Sequence, residues 1–151
     1  MAKTSRYPKV APDARLRVLS NAVLRTLWKE MNSEALQALE GDEEAVHDVR
    51  VAIRRLRSAL RTFRDCYPRD ARRPVAKHMR RLGRVMGAVR DADVHLTILR
   101  LALAASAPSE VPGVEFVIER VSEQRGRSLA EALDGFASLD SGMLERMLAD
   151  G

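Results

Sequence analysis

Apolar side chains recur at intervals of three and four residues along most of this 151-residue chain. This period is that of an α-helix with one buried face, and no segment shows the strict alternation of a β-strand. The pattern is clearest between residues 47 and 63, where an arc of about 80° on the helix surface collects five apolar residues. They are Val49, Ile53, Leu56, Leu60 and Phe63. The sequence therefore predicts an all-α protein.

Turn and cap residues divide the chain into predicted helices. Gly41 should end the first, and Asp42 should cap the second. Leu16, Leu19, Val23 and Leu27 should form the buried face of the first helix. The predicted helices cover residues 12–40, 43–66 and 114–137. Between the last two, a long helix should begin at Asp70 or at Arg73-Pro74 and run to about residue 107. A short last helix should be capped by Asp140. Short connections favour an antiparallel four-helix up-down bundle with a short extra C-terminal helix, spanning residues 12–150. Residues 1–11 should form a basic N-terminal arm.

Positive charge is concentrated in one part of the chain. Residues 50–84 carry thirteen of the 26 Lys and Arg residues, whereas the only acids among them are Asp65 and Asp70. The rest of the chain is net acidic, although the whole chain has a formal charge of +5. Such asymmetry indicates a polyanionic partner: nucleic acid, an acidic membrane surface or a phosphate polymer.

The cations follow the helical period. In "HDVRVAIRRLRSALRTF", residues 47–63, five of them share an arc about 130° from the apolar one. These are His47, Arg50, Arg54, Arg57 and Arg61. The next predicted helix has a similar side with Arg73, Lys77, Arg80 and Arg84, flanked by Arg81. Because consecutive helices of a bundle are neighbours, the two cationic faces are expected to border a common groove. The alternative is a solvated Arg-rich surface in a chain that favours Arg over Lys throughout.

Other candidate sites are weaker. Arg90 and Asp93 have i,i+3 spacing and are expected to form a structural ion pair. Glu44 and His47 have a spacing used in helical di-metal sites, but no second such motif follows, so no metal is expected. His78 and His95 are expected to be ordinary surface or helix residues. No phosphate-binding loop or activated nucleophile is found, so the chain is not expected to be an enzyme or to need a cofactor.

The lone Cys66 excludes a disulfide within one chain. No apolar run reaches the length that spans a bilayer, and the N-terminus lacks the apolar core of a signal peptide. A soluble cytoplasmic protein without membrane contact is expected.

Two stretches, "AVHDVRVAIRRLRSALRTF" (45–63) and "MRRLGRVMGAVRDADVHL" (79–96), closely resemble the conserved histidine α-helical domain, CHAD. The resemblance implies a helical bundle that binds inorganic polyphosphate along a basic groove or pore, in some cases on polyphosphate granules. Arg90, Asp91 and Asp93 match the family's second motif. The basic motif residues carried over are His47, Arg50, Arg54, Arg55, Arg57, Lys77, Arg80, Arg81 and Arg84. CHAD proteins typically hold two such bundles, so either a homodimer of this chain rebuilds the pair or a single bundle binds more weakly. Of these two, the homodimer is expected.

The functional hypothesis is non-catalytic polyphosphate binding by these residues together with Arg61. Arg forks grip phosphate oxygens bidentately, and an imidazole such as that of His47 would add pH sensitivity. Sequence-independent nucleic-acid binding is the alternative, since the cations could contact any phosphate backbone. A metal-dependent polyphosphate hydrolase is a third hypothesis, for which no site was found.

Overall fold

The structure is a computed structural model that describes residues 15–140 and 142–150. Within these ranges the chain is helical and contains no β-strand, which confirms the predicted all-α class. The α-helices are α1 (Leu16–Leu39), α2 (Glu43–Thr62), α3 (Arg69–Ala105), α4 (Val111–Ala137) and α5 (Met143–Ala149). A 3-10 turn, Arg64–Cys66, follows α2. The predicted basic arm, residues 1–11, lies outside the described residues.

The turn between α1 and α2 forms as the sequence predicts. Gly41 has a φ of +97°, a left-handed conformation that glycine adopts without steric cost. The next residue, Asp42, caps α2 through its Oδ1, which accepts a hydrogen bond of 2.7 Å from the Ala45 N–H. Glu43 and Glu44 lie in the first turn, where the helix dipole favours negative charge.

Other boundaries differ from the prediction. The second helix was expected to reach residue 66, but the α-helix ends at Thr62 and the 3-10 turn takes the remainder. Helix α3 begins at Arg69, so Pro74 lies inside it rather than at its start. Pro74 cannot donate to the carbonyl of Asp70, and Asp70 is exposed, so water can occupy that acceptor. Helix α4 begins at Val111 because Pro112 fits the first turn, where no N–H is needed.

Successive helices pack on one another, α1 on α2, α2 on α3 and α3 on α4, while α5 covers part of α3. The apolar face predicted for α2 is confirmed, since Val49, Ile53, Leu56 and Leu60 are buried and Phe63 packs partly buried against them. The predicted face of α1 is wrong at its start, because Leu16 is 59% exposed. The buried face of α1 instead contains Leu24, Leu27, Met31, Ala35 and Ala38. Apolar residues lie on several sides of α1, so spacing alone did not select the correct side.

The last part of α3 and the first part of α4 extend beyond the turn between α1 and α2. Arg125 of α4 contacts the Gly41 carbonyl of that turn, and Asp93 of α3 lies at the same level because it also contacts Arg125. Residues 94–105 and 111–122 continue past this level, and we call them the distal arm. Its exposed large apolar side chains are Val94, Ile98, Leu101, Phe116 and Val117.

Candidate cationic groove

A groove of about 410 Å³ lies between α2 and α3. We call it the α2–α3 groove. Five arginines line it together with three uncharged residues, and no acidic or aromatic side chain is among its lining residues. From α2 come Arg54, Arg57, Ser58, Leu60 and Arg61, and from α3 come Arg72, Ala76 and Arg80. The two helices therefore place guanidinium groups around one concavity.

A second depression of about 490 Å³ adjoins the groove along α3. We call it the α3 depression. Its lining residues are Pro74, Lys77, His78, Arg80, Arg81 and Arg84. Arg80 lines both concavities, so the cationic surface continues from one to the other. Together they present one extended surface suited to a long anion rather than to a compact one.

A glycine lets α2 approach α3 at the groove. Gly83 of α3 faces Ile53 and Arg57 of α2, and both side chains lie close to where a side chain on residue 83 would begin. Ile53 is buried in the core, whereas Arg57 is exposed. Because residue 83 is glycine, one side of α2 can pack into the core while the adjacent side of α2 places Arg57 in the groove.

The groove cations are not neutralised by carboxylates of the described residues. Within residues 15–140 and 142–150, no carboxylate forms an ion pair with Arg54, Arg57, Arg61 or Arg80. Among the cations of the α3 depression, Arg81 is the only one with such a contact to a described carboxylate. It approaches Glu131 to 4.0 Å, and both side chains are about half exposed. An exposed pair of this kind contributes little. The groove is therefore a region of uncompensated positive charge.

The predicted site residues divide into two groups. Seven of the ten line the groove or the α3 depression: Arg54, Arg57, Arg61, Lys77, Arg80, Arg81 and Arg84. The other three, His47, Arg50 and Arg55, are not among the lining residues of either. His47 is exposed near the start of α2, and the buried Nε of Arg50 has no hydrogen-bond partner within the described chain.

Arg72 was not among the predicted site residues, although it lines the α2–α3 groove. Its Nε is buried and has no hydrogen-bond partner within the described chain. Arg72 precedes Arg80 by eight residues, which places both on similar sides of α3. That spacing was the signal that could have identified it.

The predicted ion pair between Arg90 and Asp93 is wrong. Asp93 is fully buried, and its Oδ1 instead accepts a hydrogen bond of 2.5 Å from Nε of Arg125. The same guanidinium donates through Nη2 to the Gly41 carbonyl at 2.9 Å. Arg125 reaches Asp93 from α4, and this pairing also connects α3 and α4 to the α1–α2 turn. Arg90 forms no ion pair with a carboxylate of the described residues.

The described part of the chain contains no group of three or more His, Cys, Asp or Glu residues arranged to hold a metal ion. None of its helices combines the length and the apolar character needed to cross a membrane.

Comparison with known proteins gives one match. Residues 22–150 match the family described as the CHAD domain, and this range covers nearly the whole chain. No curated protein and no solved structure matches.

Proposed function

Because the chain belongs to the CHAD-domain family, we propose that it binds inorganic polyphosphate along the α2–α3 groove and the α3 depression. CHAD domains are associated with polyphosphate binding and are generally non-catalytic. The proposal is accordingly for a binding protein without catalytic activity of its own.

The observation that carries the proposal is the groove lined by five arginines with no acid among its lining residues. A guanidinium presents a planar fork that donates two parallel hydrogen bonds to phosphate oxygens. Cations on two adjacent helices repel one another until an anion lies between them. A linear anion with a charge at every repeat can contact several of these forks at once.

Competition between two polyanions tests the substrate class. Labelled long-chain polyphosphate bound to the protein should be displaced by unlabelled polyphosphate at lower concentration than by duplex DNA of equal phosphate content. Neither lining contains Phe, Tyr or Trp, the side chains on which the bases of single-stranded nucleic acids most often stack. If DNA competes better, the protein is a sequence-independent nucleic-acid-binding protein and the polyphosphate proposal is wrong.

Charge reversal tests the location. The triple variant Arg54→Glu, Arg57→Glu and Arg80→Glu should weaken binding about 100-fold or more, because each lost contact is a charge-assisted hydrogen bond. A matched control reverses three exposed cations that line neither concavity: Lys29, Arg100 and Arg127. The control has the same net charge, so an equal loss of affinity in both variants would show that binding is non-specific. Circular dichroism should show unchanged helix content in both.

The proposal includes a homodimer formed through the distal arm. Its exposed apolar residues include Leu101 at 70% and Phe116 at 62% exposure. Burial in an interface would stabilise each large apolar side chain by about 1.5–3 kcal/mol. A two-fold dimer buries the same residues on both copies. Within each copy, we place α1–α4 in an antiparallel up-down bundle, consistent with the packing of successive helices.

Molar mass in solution tests the dimer. The wild type should have the mass of two chains, and Leu101→Glu should reduce it to that of one chain without loss of helix content. A single-chain mass for the wild type, both with and without polyphosphate, would contradict the dimer but not the binding proposal.

Binding of long polyphosphate would concentrate the protein on cytoplasmic polyphosphate granules. A fluorescent fusion should co-localise with stained granules and become dispersed when the three groove arginines are reversed. Dispersed wild-type fluorescence in cells that contain granules would contradict this location.

A further inference from the structure

The imidazole of His78 lies in the wall of the α3 depression. It is half-buried on α3, and its Nε2 is 2.9 Å from the carbonyl oxygen of Gly135 on α4. The other two histidines, His47 and His95, are exposed and line neither concavity. His78 is thus the only one of the three histidines of the chain among the lining residues.

The contact with Gly135 determines where the protons of His78 lie. A carbonyl oxygen only accepts hydrogen bonds, so Nε2 must carry a hydrogen and donate it. In the neutral ring Nδ1 is then unprotonated, and a second proton can bind only there. Ser138 also donates to the Gly135 carbonyl, at 2.9 Å, and this oxygen has two lone pairs to receive both donors. Protonation of His78 therefore keeps its contact with α4 and adds a full positive charge.

The surrounding charges are mostly positive. On α3 the lining residues that share the depression with His78 include four cations: Lys77, Arg80, Arg81 and Arg84. On α4 the charged residues within about one turn of Gly135 are Glu131 and Asp134, both exposed, and Glu131 approaches Arg81.

Helix α5, which also packs on α3, carries Glu145 and Arg146. Glu145 is paired with Arg25, and Arg146 is paired with Asp140. The Glu145 carboxylate is therefore already neutralised by Arg25, and the Arg146 cation could not neutralise the α3 depression. Protonation of Nδ1 adds one positive charge to the cationic wall of the depression. A polyanion bound there compensates the added charge.

We infer that His78 is a proton-linked binding residue of this anion site, so that polyphosphate binding is accompanied by proton uptake on Nδ1. This rests on the proposed function and assigns a further residue to the same site. A ligand that prefers the protonated protein binds more tightly as the pH falls. The effect should develop across the range in which imidazoles titrate, from about pH 8 to pH 5.5.

Affinity measured against pH tests the inference, with long-chain polyphosphate as the probe because its internal phosphates stay charged throughout this range. Wild-type affinity should rise about tenfold from pH 8 to pH 5.5, the effect of one additional charge-assisted contact. His78→Gln keeps an amide N–H able to reach the Gly135 carbonyl but cannot become charged, so its affinity should stay nearly constant. His78→Lys remains charged and should bind at pH 8 about as tightly as the wild type at pH 5.5.

The other two histidines provide matched controls. His47→Gln and His95→Gln should retain the tenfold rise, and a rise abolished by His47→Gln instead would overturn the assignment to His78. Proton NMR of the wild-type imidazoles adds a direct measurement, in which bound polyphosphate should move the His78 titration midpoint to higher pH. An unmoved midpoint, or a full pH response in His78→Gln, would refute the inference while leaving polyphosphate binding intact. Absence of wild-type binding at every pH would refute both.

Discussion

Arg57 Nη1 lies 3.2 Å from the point where a Cβ on residue 83 would stand, so the groove arginine occupies space that exists because residue 83 is glycine. Ile53 Cγ2 lies 3.3 Å from the same point. Both distances are shorter than ordinary van der Waals contact. The position of Arg57 in the binding surface is therefore coupled to the packing of α2 on α3.

Gly83→Ala should weaken polyphosphate binding. The added methyl group displaces the flexible Arg57 side chain more readily than the buried Ile53, so we expect an affinity loss of about 3- to 10-fold, less than a full charge-assisted contact. Stability should stay near that of the wild type, because Ala gains about 1 kcal/mol of helix propensity over Gly. Fluorescence titration and thermal unfolding measure the two effects.

Gly87→Ala is the matched control on the same helix. No neighbouring atom lies within 4 Å of a Cβ built at residue 87. The variant should keep wild-type affinity and gain up to about 1 kcal/mol of stability from helix propensity. Equal affinities of the two alanine variants would show that Gly83 does not control the position of Arg57.

Asp93→Asn should destabilise the fold strongly. Asp93 is fully buried, and its partner Arg125 is only 18% exposed in its side chain. Removal of one member leaves the guanidinium charge uncompensated, which we expect to lower the free energy of unfolding by about 3–5 kcal/mol. Urea denaturation measures this loss. Arg120→Gln breaks the exposed pair with Glu123 and should change stability by less than about 1 kcal/mol. Similar losses in both variants would contradict a special role for the buried pair.

Gly135→Ala should destabilise the contact between α3 and α4. A Cβ at residue 135 would lie 2.7 Å from Cδ2 of Leu82, a side chain buried in the core. Overpacking costs about 1–3 kcal/mol, and the gain in helix propensity offsets part of this. Gly126→Ala, with open space around its Cβ, should instead be stabilising. Thermal unfolding of the two variants should give shifts of opposite sign, and a stabilising Gly135→Ala would show that Leu82 can move away without cost.

Stability should fall at alkaline pH because of Tyr67. Burial raises the pKa of its hydroxyl above the ordinary value of 10.0, and the hydrogen bond with Ser20 only partly offsets this. Above pH 10 the unfolded chain releases the proton while the folded protein retains it, so the free energy of unfolding decreases as the pH rises through the folded-state pKa. Urea unfolding between pH 8.5 and 11 should show this decrease in the wild type. Tyr67→Phe should show a smaller decrease, and an equal one would place the cause elsewhere.

The core faces of α2 and α3 were predictable because their apolar and charged residues lie on separate arcs. Val49 and Met79 could therefore be assigned to the core from spacing alone, and both are buried. Helix α1 has no such separation, since Leu16 and Leu36 are exposed while Leu24 and Leu27 are buried. Which side of α1 faces inward depends on the helices that pack against it, and the sequence of α1 alone does not indicate where those helices lie.

The candidate site was predictable to a similar extent. Arg54, Arg57 and Arg80 follow a helical period and could be brought together from the order of the helices. The pairing of Asp93 could not be found in this way, because Arg125 is 32 positions away on another helix and Arg90 has the better local spacing. The contact of His78 was also hidden, because its partner is a backbone carbonyl and any residue type could supply one.

Arg80 belongs to both concavities, and this shared residue affects how anions of different length leave the protein. An anion short enough to occupy one concavity dissociates as soon as its few contacts break. A chain that passes Arg80 and occupies both is still tethered when one half detaches, and the loose half rebinds at a high effective concentration. Selectivity for longer polymers would then arise from their residence time, with no feature of the surface that measures length.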